Sequence, residues 1–253
     1  MTSRIREVYA KAPIVEAVLD IRVRLRATPD LQTLSGISDP AYPDNFRQPF
    51  QLQVRIQGGV APDQPSIEPS IEQLSRPLGA MHRSSDEKQV FQARIDGFTF
   101  NRLAPYENWG SFAREARRLW GVYRDAVQVE RIESLALTYL NQIGLPLGAS
   151  FEEYFRTYIE VAPELPQTLT NYSLSFQVDL PGGHGVLSIT QGYGPPRREG
   201  FVNNLLNIQA LKIIGEDVNP SEQELWQMFE RLRDAKSDAF EACITDRVRE
   251  MIR

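Results

Sequence analysis

Three observations predict an α+β fold, read as a curved antiparallel sheet covered on one side by two long helices. Segments with period-two hydrophobicity recur along the chain, and turn residues bound most of them. Two long segments instead carry apolar residues at three- and four-residue spacing. The order of elements also runs twice as strand, short helix, antiparallel strands, long helix. That order suggests a tandem duplication of one unit, with halves at 1–128 and 129–253 fused into one compact domain.

In the first half, Val15, Ala17, Leu19, Ile21, Val23 and Leu25 alternate with Glu16, Asp20, Arg22 and Arg24, which predicts a half-buried strand. Seven prolines then interrupt residues 28–75, leaving a short helix near Leu31–Gly36 and a strand over Phe50–Ile56, with Gly58–Ser70 as a flexible loop. Ser84-Ser85-Asp86-Glu87 supplies the turn of a hairpin between Gly79–Arg83 and Lys88–Ile95, and Asp96-Gly97 bends the chain into Phe98–Leu103. Trp109, Phe112, Ala113, Ala116, Leu119, Trp120 and Tyr123 form one face of a helix over Glu107–Ala126.

In the second half, Ile132–Ile143 reads as a strand, and Ser150 with Glu153 as the capping box of a short helix over Phe151–Val161. Tyr172–Leu180 and Val186–Gln191 are strands joined through Pro181-Gly182-Gly183-His184, and a further strand lies within Leu205–Ile214. Ser221 and Glu224 cap a closing helix whose stripe comprises Leu225, Met228, Phe229, Leu232, Ala239, Phe240, Cys243 and Ile244. Trp109-x-x-Phe112-x-Arg114 has an echo in Trp226-x-x-Phe229-x-Arg231.

Composition excludes several classes. With 253 residues, 42% hydrophobic content and 24% charged, the chain can bury a core and is not disordered. Its lone cysteine excludes an internal disulfide or a multi-Cys metal cage. No apolar run nears the roughly 18 residues of a membrane helix, and residues 1–13 lack the apolar core of a signal peptide, so the expected location is cytoplasmic, away from membranes. Net charge is −5, with neither half strongly basic, unlike most duplex-DNA binders.

Candidate chemistry is sparse. His82 and His184 both read as solvated residues beside turns, and Cys243 as a small buried hydrophobe on a helix stripe. Nucleophile elbows, phosphate loops and dinucleotide fingerprints are missing, so no catalytic residue, metal ligand or cofactor is assigned. Asp20 with Glu16 or Asp96 could bind a metal, although acids at such spacing are common on solvated strands. Two basic features are candidate binding groups. Arg22 and Arg24, with Arg26 if the strand continues, recur at period two; Tyr193, Arg197 and Arg198 lie in a Gly/Pro-stiffened loop, Gly192–Gly200. The alternative reading is that Arg22 simply pairs with Glu16 or Asp20 across the sheet.

Several stretches occur together: Ala12-Pro-Ile-Val-Glu-Ala17, Phe98-Thr-Phe-Asn-Arg-Leu103 followed by Tyr106-x-x-Trp109-x-x-Phe112, Leu137-Thr-Tyr-Leu-Asn-Gln-Ile143, and Phe240-x-x-x-Ile244-Thr245. The combination resembles a sporadically distributed family of prokaryotic proteins of about this length with no assigned function. The resemblance implies an accessory gene, such as one in a toxin–antitoxin or antiphage system, and supplies no catalytic residue. Asn207 and Gln209 stand where the resemblance leads one to expect an acid. The leading expectation is a non-enzymatic binding module for a protein partner or ligand, with a homo-oligomer as the other assembly. Nucleic-acid or nucleotide binding through Arg22, Arg24, Arg197 and Arg198 is the alternative, and a metal-dependent hydrolase the third reading.

Overall fold

The computed structural model describes residues 9–48, 53–56, 71–74, 78–195 and 199–253. The expected Gly58–Ser70 loop and both loop arginines, Arg197 and Arg198, lie outside the described residues. The elements in chain order are β1 (Ile14–Leu25), α1 (Leu31–Ser35), β2 (Asp44–Gln48), β3 (Gln53–Ile56), β4 (Ile71–Leu74), β5 (Gly79–Arg83), β6 (Gln89–Arg94) and β7 (Gly97–Leu103). They continue with α2 (Trp109–Ala126), β8 (Val129–Pro146), β9 (Ser173–Leu180), β10 (Gly185–Tyr193), β11 (Phe201–Ile213), α3 (Glu222–Cys243) and α4 (Asp246–Ile252). The protein is α+β, with nine antiparallel strands in an open sheet ordered β2-β5-β6-β7-β1-β8-β11-β10-β9; β3 and β4 form a separate pair.

The order reads outward from a central β1–β8 pair. On one side come β7, β6 and β5, and on the other β11, β10 and β9. Each side is thus a first strand followed by a three-strand meander that returns to pair with it. Strict alternation makes one face apolar: Ala17, Leu19 and Ile21 of β1, Phe98 and Phe100 of β7, Leu135, Leu137 and Tyr139 of β8, and Leu206, Ile208 and Ala210 of β11 are all buried.

That apolar face packs against α2 and α3. Helix α2 starts at Asn108, whose side chain accepts from the Ser111 amide, and it buries Phe112, Ala116, Leu119, Trp120 and Tyr123. Phe112 meets Phe100 at 5.2 Å between ring centroids, and Trp120 meets Phe98 at 5.9 Å. Helix α3 begins with the expected capping box of Ser221 and Glu224 and buries Leu225, Trp226, Phe229 and Leu232. The two helices run antiparallel, because Trp109 donates to Glu230 (2.6 Å) while Arg117 donates to Glu222 (3.0 Å).

Several expectations are corrected. The helix over Phe151–Val161 is only a 3₁₀ turn, Phe151–Glu153, and Ser150 makes no side-chain cap. Tertiary pairing stops the turn after Phe155, whose amide still donates to Phe151 (2.8 Å): Phe155 bridges Ile244, and the Arg156 amide donates to the Cys243 carbonyl (2.8 Å). The same bridge divides the closing helix, leaving Ile244 extended (φ −101°, ψ 155°) between α3 and α4. Strand β11 begins at Phe201, ahead of the expected Leu205, because it pairs with β8 from Ser134 down to Pro146. His82 is not solvated: it is buried in β5 and stacked on Phe91 at 4.3 Å, with Nε2 3.3 Å from the Leu34 carbonyl. His184 is exposed in its turn, and Cys243 is buried as expected, its thiol pushed up to about 11 by desolvation.

Candidate interaction surface

The sheet has a second face, and no described helix packs on it. Cross-strand register arranges its side chains in rows perpendicular to the strands. One row passes from Asn101 through Val18, Thr138, Gln209 and Ser188 to Gln177. The next reads Glu16, Leu140, Asn207, Thr190 and Ser175. The row on the other side reads Thr99, Asp20, Ala136, Leu211, Val186 and Asp179. Amides and hydroxyls therefore dominate the β8–β9 side, and charges gather near β1.

The amides and hydroxyls hold one another in place. Gln209 Nε2 donates to Thr138 Oγ1 (3.0 Å), Gln177 Nε2 donates to Ser188 Oγ (2.9 Å), and Asn101 Nδ2 donates to Glu16 Oε1 (2.6 Å). The Oδ1 atoms of Asn101 and Asn207 are shielded acceptors with no hydrogen-bond partner among the described residues. Such a group costs about 1–3 kcal/mol.

The charged part is an internally neutralised cluster. Arg94 donates from Nη2 to Asp20 (2.9 Å) and from Nε to Asp96 (3.0 Å). Arg22 donates from Nε to Asp20 (3.1 Å) and also pairs with Asp96, while Thr99 adds a 2.7 Å bond to Asp20. Two guanidinium groups thus face two carboxylates, with little net field left to attract a polyanion.

The candidate residues named from sequence fall in two places, with the β1 arginines apart from Tyr193. Arg22 lies on this face, where the Asp20 pairing expected of it is present. Arg24 keeps the face of Arg22, because alternation in β1 holds through buried Val23 and the register shifts fall on β8, but it pairs with Glu133 at 3.3 Å; Arg26 lies beyond the end of β1. Tyr193 ends β10 and packs with Phe151 and Tyr172 (6.0 and 4.9 Å between centroids). It lines a different cleft of about 820 Å³ together with Leu145, Tyr158 and Val202. Among the described residues, no three His, Cys, Asp or Glu side chains converge to hold a metal, and Glu16 faces Asn101 rather than Asp20.

Sequence reading missed Arg94 and named Gln209 only through the resemblance, although their parity on β6 and β11 was available. What it lacked was the strand order that sets them beside Asp20 and Thr138. No protein-family model matches the chain, and no curated protein matches it.

Proposed function

We propose that this protein is an interaction module that holds a folded protein partner on the sheet face that no described helix covers. The observation that carries this reading is a hydrogen-bonding surface of interface size whose arginines are already paired with carboxylates. From β6 to β9 the face spans about 29 Å across seven strands and about 27 Å over five side-chain rows, using spacings of roughly 4.8 Å and 6.7 Å. The resulting area of about 800 Å² equals what one partner contributes to a standard interface. Glutamine, asparagine, serine and threonine on rigid strands suit a partner that presents backbone and amide groups. Engagement of Arg22 by two carboxylates supports a protein over a nucleic acid, since phosphate contacts would have to displace them.

The mirrored strand order also supports a tandem duplication of one strand–meander–helix unit. Its two long helices would cover the apolar side of the fused sheet and leave the polar side to the partner. Reciprocal contacts fit this: Arg233 lies over Trp109 at 6.0 Å, and Arg117 lies over Trp226 at 5.7 Å.

The test is native mass spectrometry of the protein purified at low salt from its own host, beside a Thr138→Arg/Gln209→Arg variant. A second polypeptide bound to the wild type and lost from the variant is the expected result. A control change on the helical side, Arg114→Ala, should retain it. A partner retained by the double variant would overturn the choice of surface. Dissociation of a homodimer instead would make a second copy the occupant, and bound oligonucleotide would favour the arginine reading.

A further inference from the structure

The last strand of the sheet, β9, pairs with β10, and its other edge meets no described strand. The direction of its main-chain groups follows from bonds farther in. The Gly194 amide donates to the Asn203 carbonyl (2.9 Å), so even-numbered residues of β10 bond to β11 and odd-numbered ones to β9. Leu187, Ile189 and Gln191 stand opposite Val178, Phe176 and Leu174, which therefore spend their main-chain groups on β10. Ser173, Ser175, Gln177 and Asp179 alternate with them and direct both N–H and C=O outward. All four are exposed, and among the described residues none of these outward groups has a main-chain partner.

Exposed edges usually carry a device against pairing, such as a bulge, a proline or a lysine. Strand β9 carries none of these. Its sequence, Ser-Leu-Ser-Phe-Gln-Val-Asp-Leu, holds one charge, Asp179, and it pairs with β10 along its length without a register shift. Leu174, Phe176, Val178 and Leu180 share the apolar side of the sheet, yet Val178 is 43% exposed. An added strand would meet the unpaired main-chain groups and this apolar row together.

We propose that the added strand is β9 of a second copy of this chain, related by a two-fold axis that passes perpendicular to the sheet at Phe176. The strand is its own complement. Antiparallel pairing about this axis sets Ser173 opposite Asp179 and Ser175 opposite Gln177, so all four outward residues fall in hydrogen-bonded pairs, about eight bonds in all. Leu174 then faces Val178, and Phe176 faces its own counterpart, which continues the apolar row across the junction. The lone charge, Asp179, meets a serine hydroxyl and not its own copy. The axis joins the two nine-stranded sheets edge to edge with their polar faces on the same side. This contact uses the sheet edge and is independent of the partner-binding face.

Sedimentation equilibrium of the purified protein over a concentration series should show a reversible monomer–dimer equilibrium. Ser175→Lys/Gln177→Lys sets lysines opposite one another across the axis and should weaken association at least tenfold. Mixing that variant with Ser175→Glu/Gln177→Glu should restore it. Thr138→Arg/Gln209→Arg, on strands inside the sheet, should leave the dimer unchanged. Mild oxidation reads the register: Phe176→Cys should give a covalent dimer, because its Cα lies about 4.5 Å from its counterpart, whereas Val178→Cys, opposite Leu174, should not. Cys243 is buried and does not compete. A wild type that stays monomeric would overturn the proposal, as would a dimer that survives the lysine pair or one lost with Thr138→Arg/Gln209→Arg. Crosslinking of Val178→Cys in place of Phe176→Cys would overturn it too, and this readout stands even if the lysine variant does not fold.

Discussion

Replacing Arg94 by methionine should destabilise the protein by about 2–4 kcal/mol, estimated from the bonds it makes. The Arg94 side chain is 8% exposed and makes two charge-assisted hydrogen bonds, to Asp20 and Asp96. Such bonds contribute about 1.5–3 kcal/mol each. Part of that loss is offset, because methionine fills the space of the aliphatic stem and both carboxylates keep Arg22 as a partner. Arg22 makes contacts to the same two acids, yet its side chain is 42% exposed, so Arg22→Met should cost less than about 1 kcal/mol. Urea denaturation, analysed as a two-state transition, measures both changes. In a domain this long the Arg94 variant should melt about 6–12 °C lower. Equal losses for the two variants, or a loss below 1 kcal/mol for Arg94→Met, would refute the view that burial sets the strength of this cluster.

Other outcomes follow from the same structure. Desolvation holds the His82 pKa below its usual 6.5, against weaker opposing effects from the Leu34 carbonyl and Asp39. The unfolded chain then binds more protons on acidification, so stability should fall as pH drops below about 6.5. Comparing urea midpoints at pH 7.5 and 5.5 for the wild type and His82→Phe checks this, and the variant should lose that component. Gly97 adopts φ +152°, and an added Cβ would sit 2.2 Å from the Ile21 carbonyl oxygen. Gly97→Ala should therefore cost about 3 kcal/mol or prevent folding, whereas Gly183→Ala, with no atom near its Cβ, should cost about 1 kcal/mol. Cys243 is buried with its thiol raised to about 11, so iodoacetamide should label it only after unfolding, as followed by intact mass.

Local chemistry alone determined much of this protein. Alternation placed Ala17, Leu19 and Ile21 in the core, and three- and four-residue spacing marked both long helices. Asp96-Gly97 marked the β6–β7 turn, and Ser221 with Glu224 fixed the start of α3. These features depend on neighbours a few residues away, so the chain displays them directly. The tertiary structure decided the rest. Phe151–Val161 has a helical start signal, yet the Tyr154 carbonyl and the Arg156 amide spend their bonds on Thr245 and Cys243 at the α3–α4 junction, far along the chain. His82 looked like a turn residue until α1 and Phe91 closed over it. Arg22 was visible as a charge, but only the strand order set Arg94 and Asp96 beside it and turned a basic candidate into a neutral cluster. A period specifies which way a side chain points; which distant strand or helix meets it depends on the packing of the whole sheet, and that decides whether a polar group is solvated, paired or poised at a site.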